Sequence, residues 1–271
     1  MSTKRVRLVV AYDGTDFRGW AAQTGQRTVQ STLTEAVRRV SGEEIEIVGA
    51  SRTDSGAHAR GQVCHFDSEV ALPVERWPGA LNRVLPSDLA VVRAEAVADD
   101  FHSRFCAESR TYCYRIWCGA ADPFRERWAH GYRRPLDVEA MHRAAAQIIG
   151  SHDFRAYSEE IADVANTVRR VIAISVSRSG QEVRVDVRAT AFLRGMMRRI
   201  AGVLLDVGRG KRPESEVGDL LHGERRDHLQ WPVVLPAKGL TLMRVRYGRH
   251  PRDHRRDDKA GKAEHEQNND N

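Results

Sequence analysis

Residues 5–40 read RVRLVVAYDGTDFRGWAAQTGQRTVQSTLTEAVRRV, and a change of period inside this stretch points to the fold class. Arg5 to Tyr12 is an apolar, β-branched run of strand length and reads as a buried strand. Beyond a polar loop, Val29, Leu33, Ala36, Val37 and Val40 recur at helical spacing. Thr28 stands where an N-cap would accept a free amide. More strand follows. Ile45 and Ile47 alternate, and Gln62 to Asp67 offers another run. A helical segment around Val74 to Val84 leads to a strand at Leu89 to Val97, and Arg110 to Trp117 closes this half.

The same coarse order recurs downstream. A strand is expected near Trp128 to Tyr132, then a helix from Val138 to Ile149 with Asp137 at its cap and Gly150 at its end. Alternating runs follow at Val168 to Ser177 and Glu182 to Ala189. Helical spacing returns over Phe192 to Val207 and Pro213 to Leu221, and a strand spans Leu240 to Tyr247. Each half approximates β-α-β-β-α-β, the split arrangement of ferredoxin-like folds. The expectation is an α+β protein whose two ferredoxin-like halves, residues 1–118 and 119–248, join in one long, mainly antiparallel sheet with helices packed on one face. The duplication is architectural only; no residue-level repeat accompanies it.

Residues 249–271 contain no large apolar side chain and balance six Lys/Arg against six Asp/Glu. Such a segment cannot bury enough surface to offset its ordering entropy, so a disordered charged tail is expected there. The net charge of +6 among 271 residues therefore belongs to the preceding part. A basic excess suits a polyanionic partner without specifying one. Cys64, Cys106, Cys113 and Cys118 form no CxxC pair and no Cys/His metal pattern, so no zinc site is expected and a reduced compartment is. No run approaches the ~18 apolar residues that span a bilayer. The apolar run behind Lys4, Arg5 and Arg7 is too short for a signal peptide, so a cytoplasmic location is expected.

The densest polar segment is Ala50-Ser-Arg-Thr-Asp-Ser-Gly-Ala-His-Ala-Arg-Gly-Gln-Val-Cys-His-Phe66, set between two expected strands. Loops held by such a scaffold often carry function. Arg52 and Asp54 are two apart, so in extended backbone both side chains point the same way. A neighbouring guanidinium favours an ionised carboxylate, which can then act as nucleophile or base. Asp-Ser-Gly is also an ordinary turn in which the Asp side chain caps its own backbone. Local chemistry leaves both readings open. His58 and His65 read as structural or surface histidines. No second carboxylate sits at a spacing that suggests paired acid/base work.

This segment resembles the signature of the tRNA pseudouridine synthase A family, G-R-T-D-A-G-V-H-A followed by G-Q-V and a His-Phe pair. Further stretches resemble that family in the same order. They are Tyr12-Asp13-Gly14-Thr15 with Gly19-Trp20 and Gln23; Arg27-Thr28-Val29-Gln30; Asn82, Leu85, Pro86 and Asp88; Phe101 to Phe105; and Arg110-x-Tyr112-x-Tyr114. Ala191-Phe192-Leu193 with Met196, Met197 and Arg198, and Gly239-Leu240-x-Leu242, complete the series. The resemblance covers residues 5 to 247. It departs from the family at Phe17, Ala21, Ser51 and Ala57, none of which the chemistry requires.

The resemblance implies conversion of uridine to pseudouridine in the tRNA anticodon stem-loop, at positions 38, 39 and 40, by a homodimer without metal or cofactor. It also implies the site residues. Asp54 would be catalytic, Arg52 would handle the flipped nucleotide, Tyr112 would stack on the target base, and Arg198 would pair with the carboxylate. Leu242 would line the pocket, with Leu240 close enough to compete. Apart from the resemblance, Tyr112 and Tyr114 are simply alternating strand residues. Arg194, Arg198 and Arg199 then form a solvated basic face, and Met196 and Met197 pack in the core. Two other classes compete: a non-catalytic RNA-binding module, although no RNP1-like aromatic run is present, and a metal-dependent nuclease or phosphohydrolase.

Overall fold

The computed structural model describes residues 3–159 and 166–248; the segment 249–271, expected to be disordered, lies outside them. β1 (Lys4–Tyr12) buries Val6, Leu8, Val10 and Tyr12 on one face while its intervening residues are less buried, as a pleated run of alternating side chains requires. α1 (Val29–Ser41) starts at Thr28, whose hydroxyl accepts the Ser31 amide at 3.2 Å while Ser31 Oγ accepts the Thr28 amide at 3.3 Å. This reciprocal pair satisfies two otherwise free donors.

β2 (Val48–Gly49) is short and β3 (His58–Ser68) long, and α2 (Trp77–Asn82), β4 (Leu89–Val97) and β5 (Ala107–Trp117) follow. Next come β6 (His130–Gly131), α3 (Val138–Ala146), β7 (Gly150–Asp153), β8 (Val168–Ser179) and β9 (Glu182–Ala189). α4 (Met196–Gly208), α5 (Ser215–Asp219), α6 (Gly223–Arg226) and β10 (Leu240–Tyr247) complete the described elements. The Asp137 carboxylate caps α3, accepting the Ala140 amide at 2.9 Å.

The architecture is mixed α+β around one long, mainly antiparallel sheet, in the order β4-β1-β3-β10-β5-β9-β8-β7. β10 sits in the middle. It runs antiparallel to β5, placing Leu242 opposite Tyr112, and parallel to β3 over a short register, with Thr241 opposite His58. A strand late in the chain thereby sutures two groups of strands made much earlier. Apolar side chains of α1 and α2 (Val29, Leu33, Trp77, Leu81) share a core with Leu8 and Phe66. Those of α3 and α4 (Met141, Ala144, Ile200, Leu204) join the same core as Val185 and Val187.

Some boundaries differ from expectation. Ile45 and Ile47 do not form a strand; Ile47 is instead a core side chain, and strand pairing starts only at Val48. The Val74–Val84 segment divides into a 3₁₀ turn and the six-residue α2. The strand expected at Trp128–Tyr132 shrinks to the two residues of β6. Phe192 lies outside α4, because Gly195 takes a left-handed backbone and breaks the helical run before Met196. Gly150 opens β7 rather than closing α3.

Candidate active site

The polar segment between β2 and β3 is held by its backbone. The Ala50 amide donates to Val63 O at 2.8 Å, Gln62 Nε2 donates to Ser51 O at 2.6 Å, and the Trp20 amide donates to Thr53 O at 3.1 Å. The Thr53 and Tyr12 hydroxyls hydrogen-bond at 2.8 Å. Asp54 O then accepts the Ala57 amide at 3.1 Å, and Gly56, third residue of that turn, has φ 80°. A positive φ at this position is what a glycine supplies without strain. The turn is thus closed by backbone. The Asp54 side chain reaches a different partner.

That partner is Arg198, in the first turn of α4. Its Nη1 donates to Asp54 Oδ2 at 3.0 Å, and its Nε donates to Leu235 O at 2.6 Å. The Arg198 and Asp54 side chains keep 19% and 27% of their surface exposed, so the pair is sheltered yet reachable from solvent. Arg52 is exposed, and among the described residues it forms no ion pair with Asp54. Residues 51–54 are not in a strand, so the alternation that would place the two side chains together does not apply.

Tyr112 lies on β5 beside this pair. It is buried, its hydroxyl hydrogen-bonds Ser51 Oγ at 2.8 Å, and the Phe192 ring meets it edge-on with centroids 4.9 Å apart. Burial pushes the Tyr112 hydroxyl up to about 12, and the negative charge of Asp54 adds to the shift. The ring is therefore neutral at physiological pH and electrostatically coupled to the carboxylate. Leu242, fully buried, is the cross-strand neighbour of Tyr112, whereas Leu240 lies opposite Tyr114. The structure thus brings Asp54, Arg198, Tyr112 and Leu242 to the central seam and leaves Arg52 on the surface nearby.

Both histidines of the segment are held by backbone. His58 Nδ1 accepts the Gly14 amide at 3.0 Å, and Nε2 lies 3.0 Å from Arg127 O and 3.1 Å from Lys238 O. Burial holds its pKa below the usual histidine value. His65 Nδ1 accepts the Ser103 amide at 3.2 Å, and burial pushes its pKa down to about 4.

Ser51, Phe192 and Leu235 also belong to the site, but sequence reasoning gave them no role. Ser51 stood out only as a departure from the motif, and Phe192 was read as helix. Leu235 contributes a carbonyl, which no side-chain pattern reveals. A cavity of about 640 Å³ opens elsewhere, with Asp13, His58, Arg60, Phe124 and Trp128 among its lining residues. Asp54, Tyr112 and Arg198 do not line it. Its arginines Arg115, Arg125 and Arg184 surround the buried Glu182 at 3.7, 3.5 and 2.5 Å.

A family model described as "tRNA pseudouridine synthase" matches residues 8–106 and 144–248. The chain is 44% identical over 226 residues to a tRNA pseudouridine synthase A of Halalkalibacterium halodurans, covering 83% of this chain and 86% of that protein. It is 43% identical over 245 residues to the tRNA pseudouridine synthase A of Brevibacillus brevis, covering 90% of this chain and all of that one. Among solved structures, an archaeal box H/ACA sRNP Nop10-Cbf5 complex aligns at 12% identity with a TM-score of 0.32, over 82% of this chain and 56% of that one.

Proposed function

The chain belongs to the tRNA pseudouridine synthase family, and from that premise we propose that it isomerises uridine to pseudouridine in the tRNA anticodon stem-loop, at positions 38, 39 and 40, with Asp54 as the catalytic residue. The reaction breaks the N1–C1′ bond, turns the base and joins C5 to C1′. N1 gains a hydrogen and C5 releases a proton, so no redox equivalent is consumed. The base must leave its stack to be reached, at a cost of a few kcal/mol. Stacking against Tyr112 returns roughly 1–3 kcal/mol of that. In this reading exposed Arg52 meets a phosphate or fills the space the base vacates.

Asp54 can act by attack at C1′, by addition at C6 or by removing the 2′ proton. All three require an ionised carboxylate in a site from which RNA excludes water, where an uncompensated charge is costly. Arg198 supplies the compensating charge, and the Arg198–Asp54 pair at 3.0 Å is the observation that most supports this reading. Cytoplasmic residence, where tRNA substrates are found, and assembly as a homodimer complete the proposal.

The test is tritium release from tRNA labelled at C5 of uridine. Asp54→Ala is expected to release none above background while still binding tRNA. Release at the wild-type rate would mean that Asp54 is not the catalytic group.

A further inference from the structure

We infer that Arg110 is a positioning residue, which holds in register the two loops that grip Tyr112 and thereby sets where that ring stands beside Asp54. The inference rests on the reading that Tyr112 and Asp54 form the active site.

Arg110 and Tyr112 alternate on β5, so both side chains project from the same face of the sheet. Arg110 lies opposite Val245 of β10 and Ala189 of β9. It is almost fully buried, yet among the described residues no carboxylate pairs with it; its partners are backbone carbonyls. Nη1 donates to Ala107 O at 3.1 Å and to Thr190 O at 2.7 Å. Nη2 donates to Ala50 O at 3.2 Å and to Arg104 O at 2.8 Å. A buried cation is costly, and these dipoles are what stabilise it.

The sequence positions of two of those carbonyls give the arrangement its meaning. Ala50 immediately precedes Ser51, whose hydroxyl bonds the Tyr112 hydroxyl. Thr190 lies two residues before Phe192, whose ring packs edge-on against Tyr112. One guanidinium therefore clamps the backbone beside Ser51 and beside Phe192, from loops about 140 residues apart in sequence, as Ala50 and Thr190 show. A planar fork with five N–H donors can serve four carbonyls in two directions. An ammonium, with three hydrogens on one atom, cannot reproduce that spread. Arg110 touches no reacting atom in this account; it acts through Ser51 and Phe192.

The test uses the full chain and single-turnover tritium release. Arg110→Lys is expected to bind tRNA within about threefold of wild type and to release tritium about tenfold or more slowly, since small misplacements of a reacting group cost that much. Hydrogen exchange should quicken in residues 49–52 and 190–193 while β1 is unchanged. In a Ser51→Ala/Phe192→Leu background the same substitution should cost less than about threefold, because the limbs through which it acts are already gone. Arg110→Gln, which keeps one two-hydrogen donor, takes its place if the lysine variant does not fold. Equal losses in both backgrounds, unchanged exchange in both loops, or an unaltered rate would overturn the inference. If Asp54→Ala itself proves active, the fault lies with the assignment of the site, not with Arg110.

Discussion

Arg198 meets two demands at once, donating through Nε to Leu235 O and through Nη1 to Asp54. A lysine at this position could hold the charge near the carboxylate or reach the carbonyl, but not both with the same geometry. Arg198→Lys should therefore lower the single-turnover rate by roughly 10- to 100-fold with little change in tRNA affinity. Rates and filter-binding constants measured on the same preparation check it. The turn that carries Asp54 was legible in the sequence because its residues are contiguous and the motif around it is dense. Its electrostatic partner was not legible from local reasoning, which put Arg52 beside it; the guanidinium actually in contact is 144 residues away. Resemblance to the family pointed to Arg198, and periodicity alone would have left it on a solvated face.

At the scale of elements, strands with strict alternation and helices with a capping residue were readable: β1, β9, α1 from Thr28 and α3 from Asp137 all match the expected starts within a residue. The two-residue β2 and the four-residue β7 were not, because so few positions carry no period, and β6 was expected in place but longer than its two residues. Nor could the run Leu240–Tyr247 announce that it would lie between β3 and β5, since the choice of pairing partner is tertiary. Loop packing is equally invisible. A Cβ on Gly14 would stand 1.9 Å from Ala57 O, a backbone atom with no flexible end to yield. Gly14→Ala should destabilise the fold by about 1–3 kcal/mol or more, and should slow the reaction further by displacing the turn that carries Asp54. Thermal unfolding and tritium release would show both effects; an unchanged melting temperature would mean that the two loops can separate freely.

For the whole molecule, acid sensitivity follows from its buried imidazoles. His65 has a folded pKa of about 4 against an ordinary value of 6.5, because burial disfavours the charged ring and Arg5 and His102 oppose it further, with Asp67 acting the other way. Above pH 6.5 the ring is neutral in both states, and the stability is fully present. As pH falls below 6.5 the unfolded chain takes up a proton that the folded one refuses, and stability is lost progressively down to about pH 4. The loss is on the order of 2–3 kcal/mol. His58, lowered in the same direction, adds to it. Denaturant unfolding at pH 7 and pH 4.5 should show this fall, and His65→Gln should make it shallower; an equally steep dependence in the variant would exclude His65 as its source.

The position of β10 has a consequence for the newborn polypeptide. Ribosomes deliver residues in order, so β1, β3, β4 and β5 emerge long before the strand that will lie between them. Until Leu240–Tyr247 clears the exit tunnel, β5 presents an open edge of unsatisfied amides and carbonyls, and β3 a short one at His58–Ala59, the kind of rim that invites pairing with a stranger. A chain stalled before that point would be inert as an enzyme and adhesive as a polypeptide.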